Sequence, residues 1–198
     1  AIVRGHFGFG IHALNFALDT AIEKAKADNL AAVGLFENTH TGRLGRYAEL
    51  AAAQNIIASI GGGGGGRHAR HCSVAPFGGA QRVMATNPLA IGIPGGKYGP
   101  IVIDMSTSNT AEGKLRLYRA TGKPLPEGWI IDKDGKPSTD AEDFYAGGAI
   151  LPAAAHKGYG LAIALELLGD ALIGNPFELN WLVLALNIEA FRPIDEFS

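Results

Sequence analysis

Cysteine is nearly absent from this chain, since Cys72 is the only one among 198 residues. A single thiol excludes an intrachain disulfide framework and is typical of proteins that work in a reducing compartment. Long apolar runs are missing too, and the first residues lack the charged and apolar regions of a signal peptide. The sequence therefore predicts a cytoplasmic protein with no membrane partner.

A surplus of basic charge is also missing, because 17 lysines and arginines are set against 19 aspartates and glutamates. The basic residues are spread along the chain, whereas a nucleic-acid binder concentrates them in a patch or stripe. Apolar residues make up 47% of the chain and charged residues 18%, which is typical of a folded globular protein. We therefore expect no nucleic-acid partner.

Several signatures of chemistry are absent as well. The cluster of His68, His71 and Cys72 offers one thiol and matches no zinc-ligand spacing, so no metal site is predicted. The sequence has neither a Walker-type phosphate loop nor a Gly-x-Ser-x-Gly elbow. The glycines between positions 5 and 10 follow no predicted strand, so they form only a weak nucleotide fingerprint.

What the chain does contain is an alternation of amphipathic and short apolar segments. Apolar residues recur at helical spacing over 13–28, and the apolar segment 31–36 is typical of a buried strand. A loop over 37–45, a helix over 46–54 and a strand over 56–60 complete the order of a crossover unit, which favours an α/β fold. Further strands are predicted over 89–93, 101–105 and 181–186.

The remaining segments are less regular. Residues 1–10 are glycine-rich and are predicted to end in a turn, and residues 123–148 are predicted to form a long surface excursion. Asn109 and Glu112 resemble a capping box for a helix that stops at Gly122. A second helix, from about residue 158, is apolar on every side and is predicted to be fully buried.

Lys157 stands at the start of that apolar helix, beside His156 and Gly158. A helix N-terminus offers unpaired N–H groups and partial positive charge, which favour anions. Two interpretations follow. Either Lys157 holds a phosphate or carboxylate ligand, or it is an ordinary solvated lysine.

Two further candidates lie at the carboxyl ends of predicted strands, His40 in the loop that follows one and Asp104 near the end of another. Ligands of α/β sheets gather at the carboxyl ends of strands, so His40 and Asp104 would share a rim with Lys157 if their strands are neighbours. An imidazole suits proton transfer near neutral pH, although His40 could equally bond to nearby backbone. Asp104 could accept hydrogen bonds from a ribose or cap the following helix.

Six segments occur together in the order found in the type-2 malate/L-lactate dehydrogenase family, which this chain resembles over most of residues 1–174. They are NTHTGRLG (38–45), VAPFGG (74–79), TNP (86–88), DMSTS (104–108), LPEGW (125–129) and HKGYG (156–160). The resemblance implies a non-Rossmann α/β fold with a central mixed sheet flanked by helices. It also implies a homodimer with its sites near the subunit interface.

The same resemblance implies an oxidoreductase that transfers a hydride between NAD or NADP and a 2-hydroxy or 2-keto carboxylic acid. His40 matches a histidine proposed as the acid/base group. Less specifically, Thr86 and Asn87 would lie near the nicotinamide or the substrate. The positions that match cofactor-contacting residues are Asp104, Met105, Ser106 and Lys157.

The chain also departs from the family pattern. Members carry an N-terminal helical segment with a Ser-His-Gly motif and a substrate-binding arginine, and neither occurs here. We therefore expect residues 1–198 to be a single NAD(P)-binding domain of a longer chain, in which His40 is either the base or a neighbour of one. Six glycines (61–66) stand where the family has a strand and loop that touch the cofactor.

Two alternatives to the hydroxy-acid dehydrogenase stay open. The same scaffold serves reductases of cyclic imines or of keto sugar acids. A non-catalytic dimer that still binds dinucleotide would follow if the N-terminal segment were truly absent.

Overall fold

The computed structural model describes residues 1–65, 72–174 and 176–197. Its helices are α1 (Gly10–Asp28), α2 (Gly45–Ala52), α3 (Glu112–Thr121), α4 (Ala141–Tyr145), α5 (His156–Leu167), which a π-helix (Leu168–Ile173) continues, and α6 (Ile194–Phe197). Its strands are β1 (Ile2–Gly8), β2 (Leu30–Asn38), β3 (Ile56–Gly63), β4 (Leu89–Ile93), β5 (Ile101–Met105), β6 (Ile130–Ile131), β7 (Pro137–Ser138), β8 (Ala149–Ile150) and β9 (Asn180–Asn187). Within the described residues, short 3-10 helices span Gly96–Tyr98 and Ile188–Ala190.

The central sheet has six strands in the order β1-β2-β9-β3-β4-β5. β1 and β2 are parallel, and each other neighbouring pair in this sheet is antiparallel. Helices pack on both faces of the sheet. The predicted α/β fold with a central mixed sheet flanked by helices is therefore confirmed.

The predicted crossover runs from β2 through α2 to β3, and these two strands point in the same direction. β9 lies between them and is antiparallel to both. Residues 1–10, predicted only as a glycine-rich segment that ends in a turn, contain a strand. They form the edge strand β1, because Ile2 pairs with Gly34 of β2 and the pairing continues to Gly8.

The pairing directions bring several strand ends to one edge of the sheet, which we name the upper edge. β1, β2, β3 and β5 end there, and β4 and β9 begin there. The segments that follow β2 and β5 therefore meet the segments that precede β4 and β9. Ligands of α/β proteins bind at an edge of this kind.

The main core lies between the sheet and the pair of helices α1 and α2. Val33, Leu35, Ile60 and Val183 are fully buried there, on alternate positions of three neighbouring strands. Burial of each such side chain contributes about 1.5–3 kcal/mol. α5 and the π-helix pack on the opposite face, against β3 and β9.

The first three glycines of the glycine run complete β3. Gly62 pairs with Trp181, and a Cβ on Gly62 would lie 2.5 Å from Cζ3 of the indole ring. On the other face, a Cβ on Gly63 would overlap the backbone of Leu165 in α5. Glycine is needed here because helix and strand backbones approach more closely than a side chain allows.

The predicted surface excursion over 123–148 is mostly exposed, but it also carries two strands of a second, three-stranded sheet in the order β7-β6-β8, which the sequence pattern did not predict. Ile130, Phe144 and Ile150 are buried in its core together with Leu115 of α3. The strands have only two residues each, so the surrounding Pro, Gly and Asp residues dominate the sequence pattern.

Two further expectations are corrected. α5 is not buried on every face, since the side chain of Ile163 is 38% exposed and that of Leu167 is 58% exposed. The reason is that only one side of the helix packs on the sheet. The capping box is also wrong, because Nδ2 of Asn109 donates to the Gly128 carbonyl at 2.7 Å while α3 begins at Glu112 without a side-chain cap. Among the described residues, no helix has the length and apolarity needed to cross a bilayer.

Candidate functional site

A hollow of about 840 Å³ opens at the upper edge, and we name it the edge hollow. Its walls come from the segments after β2 and β5, from the segments before β4 and β9, and from the start of α3. This volume lies in the range of small-molecule and cofactor sites. The predicted site residues that line it are His40, Thr86, Asp104, Met105 and Ser106.

The floor of the edge hollow is fixed by a buried amide at the end of β2. Asn38 is 1% exposed, and its Oδ1 accepts a hydrogen bond from Nε1 of Trp181 at 3.0 Å. Its Nδ2 donates to the Leu179 carbonyl at 3.1 Å. Since Trp181 and Leu179 both line the hollow, Asn38 ties the start of β9 to the loop that carries His40.

His40 is exposed to the edge hollow, and its ring is oriented by backbone. The amide N–H of Gly42 donates to Nδ1 of His40 at 3.0 Å. Because Nδ1 accepts this bond, the neutral ring carries its proton on Nε2. In this arrangement, His40 offers the hollow an N–H donor.

The loop around His40 is held from both sides. The buried hydroxyl of Tyr47 donates to the Thr41 carbonyl at 2.6 Å, and burial raises the pKa of Tyr47 above its ordinary value of 10.0. Oγ1 of Thr39 donates to the Gly8 carbonyl at 2.9 Å and accepts from the Gly10 N–H at 3.1 Å. These bonds anchor the loop to α2 and to the end of β1.

Asp104 lines the hollow and also caps a helix, although not the helix that follows it. Its Oδ2 accepts a hydrogen bond from the N–H of Gly45, the first residue of α2, at 2.7 Å. A carboxylate at a helix N-terminus is favourable because it meets unpaired N–H groups and positive partial charge. The predicted cap for α3 is therefore corrected to a cap for α2.

The segment after β5 is linked to the segment before β4. Ser106 Oγ donates to the Ser108 carbonyl at 2.7 Å, and Thr107 Oγ1 donates to the Thr86 carbonyl at 3.1 Å. The backbone N–H of Thr107 donates to the same Thr86 carbonyl. Thr86 and Ser106 are thus held on adjoining walls of the hollow.

Asn87 lies behind the wall, is fully buried and does not line the edge hollow. Its Nδ2 donates to the Ala162 carbonyl at 3.1 Å and to Oε2 of Glu166 at 2.8 Å, both in α5. Its position ties the segment before β4 to α5. A direct contact between its side chain and a ligand in the hollow does not follow from this placement.

Lys157 is exposed in the first turn of α5 and is not among the residues that line the edge hollow. The turn before it reaches the rim, because Ala153 lines the hollow and its N–H donates to the Thr107 carbonyl at 2.9 Å. Ala154 and Ala155 both have positive φ, 49° and 56°. Non-glycine residues in this conformation are strained, and such residues are concentrated at functional sites.

Two cations line the edge hollow that the sequence did not single out as site residues, Arg43 and Lys114. Nη2 of Arg43 donates to Oε1 of Glu49 at 2.6 Å, and this bond raises the pKa of Arg43. Lys114 Nζ lies 5.9 Å from the centre of the Trp129 ring. In the sequence, Lys114 is indistinguishable from a solvated helix lysine, because only the fold turns the start of α3 toward the upper edge.

A second hollow of about 570 Å³ adjoins the first and is named the side hollow. It shares His40 and Thr86 with the edge hollow, and it is lined by Arg82 and Arg116. Neither arginine stands in a recognisable motif, so no sequence pattern points to them. As to metals, no cluster of three candidate ligands occurs within the described ranges, and His68 and His71 lie outside them.

This fold and this hollow define an α/β protein with a cleft that contains a histidine, at the sheet edge where β1, β2, β3 and β5 end. A family model described as malate/L-lactate dehydrogenase matches residues 1–198. The chain belongs to this family.

Relatives with several activities are similar to the chain. Malate dehydrogenase of Pyrococcus abyssi is 36% identical over 217 residues, covering 100% of this chain and 58% of the relative. Δ1-pyrroline-2-carboxylate reductase of Pseudomonas fluorescens is 39% identical over 173 residues, covering 87% and 49%. The chain thus spans about half to three fifths of the length of these relatives.

Solved structures agree with the family assignment. Malate dehydrogenase from Entamoeba histolytica has a TM-score of 0.89 at 30% identity, covering 99% of this chain and 60% of that chain. Sulfolactate dehydrogenase from Methanocaldococcus jannaschii has a TM-score of 0.85 at 34% identity, covering 100% and 59%.

Proposed function

We propose that the protein containing this chain is an NAD(P)-dependent dehydrogenase that oxidises a 2-hydroxy carboxylic acid or reduces the corresponding 2-keto acid. The observation that carries the proposal is the shared lining of the edge hollow by His40, Thr86 and residues 104–106. The similarity to malate and sulfolactate dehydrogenases supports it. Since the chain spans only part of these relatives, activity belongs to the whole protein.

The residues present suit a nicotinamide dinucleotide. Asp104 has a second carboxylate oxygen beyond the one that caps α2, and it can accept from a ribose hydroxyl. Met105 and Ser106 line the same wall, and Lys157 supplies positive charge near the rim. When bound, the cofactor supplies the hydride chemistry. Turnover assays with NAD and with NADP decide which of the two cofactors the protein uses.

His40 is the candidate for the group that meets the reacting oxygen of the substrate. Its Nε2–H can donate to that oxygen and polarise a carbonyl. To take the proton of a substrate hydroxyl, Nε2 must be unprotonated, so the single proton of the neutral ring must then lie on Nδ1. There it would face the Gly42 N–H, so this step requires the Gly42 bond to be released. His40 thus has two separable roles, as donor and as proton carrier.

Turnover measured at the reduced-nicotinamide absorbance tests the function, with malate, lactate and ureidoglycolate as substrates. We expect turnover of at least one hydroxy acid, and a fall of about 100-fold or more in His40→Ala. His40→Gln, whose amide can donate a hydrogen bond but does not ionise near neutral pH, separates the roles. A rate near wild type indicates donation alone, whereas a rate as low as in His40→Ala indicates proton exchange.

Absence of turnover with every substrate and both cofactors, together with tight dinucleotide binding, would contradict the dehydrogenase and favour the non-catalytic binding protein. Turnover in His40→Ala equal to wild type would remove His40 from the reaction.

A second candidate is a reductase of cyclic imines. The specific observation in its favour is the 39% identity to Δ1-pyrroline-2-carboxylate reductase of Pseudomonas fluorescens. Δ1-Pyrroline-2-carboxylate, added to the same assay, discriminates the two. A larger kcat/KM for the imine than for every hydroxy acid would support the reductase.

We also propose that the chain forms a homodimer, as its family resemblance implies. Large apolar side chains lie exposed on α5, among them Leu167 at 58%, and on β5, among them Ile101 at 60%. A second copy would remove such surface from water. Light scattering on the purified protein should give twice the subunit mass. The mass of one subunit at micromolar concentration would overturn the dimer.

A further inference from the structure

We propose that Arg82 is a specificity-determining residue that binds the second anionic group of a dianionic substrate in the side hollow. The inference rests on the proposed dehydrogenase function, because it assigns the part of the substrate that does not react. The ligand chemistry is a carboxylate or sulfonate at the end of a short side chain. A monocarboxylate such as lactate has no group to place there.

The two hollows are adjacent in the region where the chemistry is proposed. His40, Thr86, Ala111, Glu178 and Leu179 line both. A substrate whose reacting carbon lies beside His40 can therefore extend its side chain into the side hollow without crossing a wall. The side hollow, at about 570 Å³, has ample room for such a group.

The guanidinium of Arg82 is held in a fixed plane. Nε donates to the Gly148 carbonyl at 2.6 Å, and Nη2 donates to the Phe144 carbonyl. The guanidinium carbon lies 4.1 Å from the centre of the Phe144 ring. These contacts use one edge of the guanidinium and stack one face. Nη1 donates to none of the described residues, so the end formed by Nη1 and Nη2 is left to bind an anion in a forked arrangement.

The charge of Arg82 is not neutralised by a carboxylate in the described part of the chain. The charge of Glu112 acts on Arg82, but Oε1 of Glu112 is bonded to Nε and Nη2 of Arg116 at 3.1 and 2.8 Å. Glu178 lines the side hollow but forms no described ion pair with Arg82. Partial burial lowers the pKa of Arg82, which reflects the cost of holding an unpaired charge there. An incoming anion would remove that cost.

The test compares a dianion with a monoanion in the wild-type protein and in Arg82 variants. Malate, 3-sulfolactate and lactate are titrated calorimetrically, and kcat/KM is measured for each. We expect either dianion to bind at least about 10-fold more tightly than lactate in wild type. In Arg82→Gln, the dianion affinity should fall about 10- to 100-fold while that for lactate stays within about 2-fold. Arg82→Lys keeps the positive charge but cannot bind the anion through two parallel N–H groups. Its dianion affinity should therefore lie between those of wild type and Arg82→Gln.

The matched control is Arg119→Gln. Arg119 also bridges to α4, through Glu142 at 2.6 Å, but it does not line either hollow. Arg119→Gln should leave the ratio of the dianion affinity to the lactate affinity unchanged. If Arg82→Gln is not folded by circular dichroism, Arg82→Lys decides the question on the same ratio.

The two proposals fail differently. The role of Arg82 would be overturned if its substitution left the preference for dianions unchanged, or if wild type bound malate and lactate with equal affinity. Turnover of a hydroxy acid would still support the dehydrogenase in either case. An Arg82-dependent preference in calorimetry without any turnover would support the anion site and overturn the dehydrogenase.

Discussion

At the residue scale, the position of His40 depends on hydrogen bonds made by neighbouring residues. Tyr47 holds the Thr41 carbonyl, the Gly42 amide orients the imidazole, and Asn38 joins the start of the loop to Trp181. Each bond involves a group in or next to the loop, so the loop is fixed before a ligand arrives. Preorganised donors of this kind need no rearrangement during the reaction.

The contribution of Tyr47 is expected to depend on pH. Because burial raises its pKa above 10.0, stabilisation by the neutral phenol is fully present below pH 10. It is lost as the pH rises further toward the folded-state value, since the unfolded chain then ionises while the folded one does not. Tyr47→Phe should lower the free energy of unfolding by about 1–2 kcal/mol at pH 8, because the Thr41 carbonyl loses its donor.

Urea unfolding of both proteins at pH 8 and pH 10.5 measures this effect. The difference between wild type and Tyr47→Phe should shrink at the higher pH, because the phenylalanine variant has no group to ionise at this position. Other tyrosines ionise in both proteins and cancel in the comparison. An unchanged difference would show that Tyr47 is not buried as a neutral phenol.

At the scale of single elements, the start of α5 is the most strained part of the rim. Ala155, the residue before the helix, has φ 56° and ψ −121°. This conformation is nearly restricted to glycine and costs an alanine about 1–3 kcal/mol. The turn is kept in place by bonds to the segment after β5, such as that from the Ala153 N–H to the Thr107 carbonyl.

Ala155→Gly should therefore stabilise the protein, by about 1 kcal/mol after the entropy of glycine in the unfolded chain is subtracted. Thermal unfolding measures it as a rise in Tm. Ala153→Gly is the matched control, because Ala153 lies in the same turn without a positive φ and should gain nothing. A fall in Tm for Ala155→Gly as large as that for the control would contradict the assigned backbone strain.

The elements differ in how well their sequences predict them. β4 and β5 are predicted to the residue, because each is a short apolar segment bounded by turn residues. β1 is missed, because its glycines and histidine mask a strand that forms only by pairing with β2. The glycines at 61–63 stand out in the sequence, but only the close approach of α5 and Trp181 explains why glycine is needed there.

At the scale of the whole molecule, the site is an outcome of strand order. The positions of His40 and Asp104 at the carboxyl ends of predicted strands favour a shared rim, and the sheet brings them to the same hollow. Lys157 is predicted on that rim but is not among the residues that line the hollow. Its helix, α5, packs on the face of the sheet opposite to α1 and α2. Arg82 and Lys114 line the hollows because the three-stranded sheet and α3 bring them there. These contacts are long-range and leave no local pattern in the sequence.

The most direct measurement of the central claim is a crystal structure of the protein grown with reduced nicotinamide dinucleotide. The nicotinamide ring should lie in the edge hollow between His40 and residues 104–106, with the rest of the dinucleotide directed toward the first turn of α5 at Lys157. A dinucleotide bound away from this hollow, for example in the groove between β1 and α1, would contradict the assignment of the upper edge as the site of chemistry.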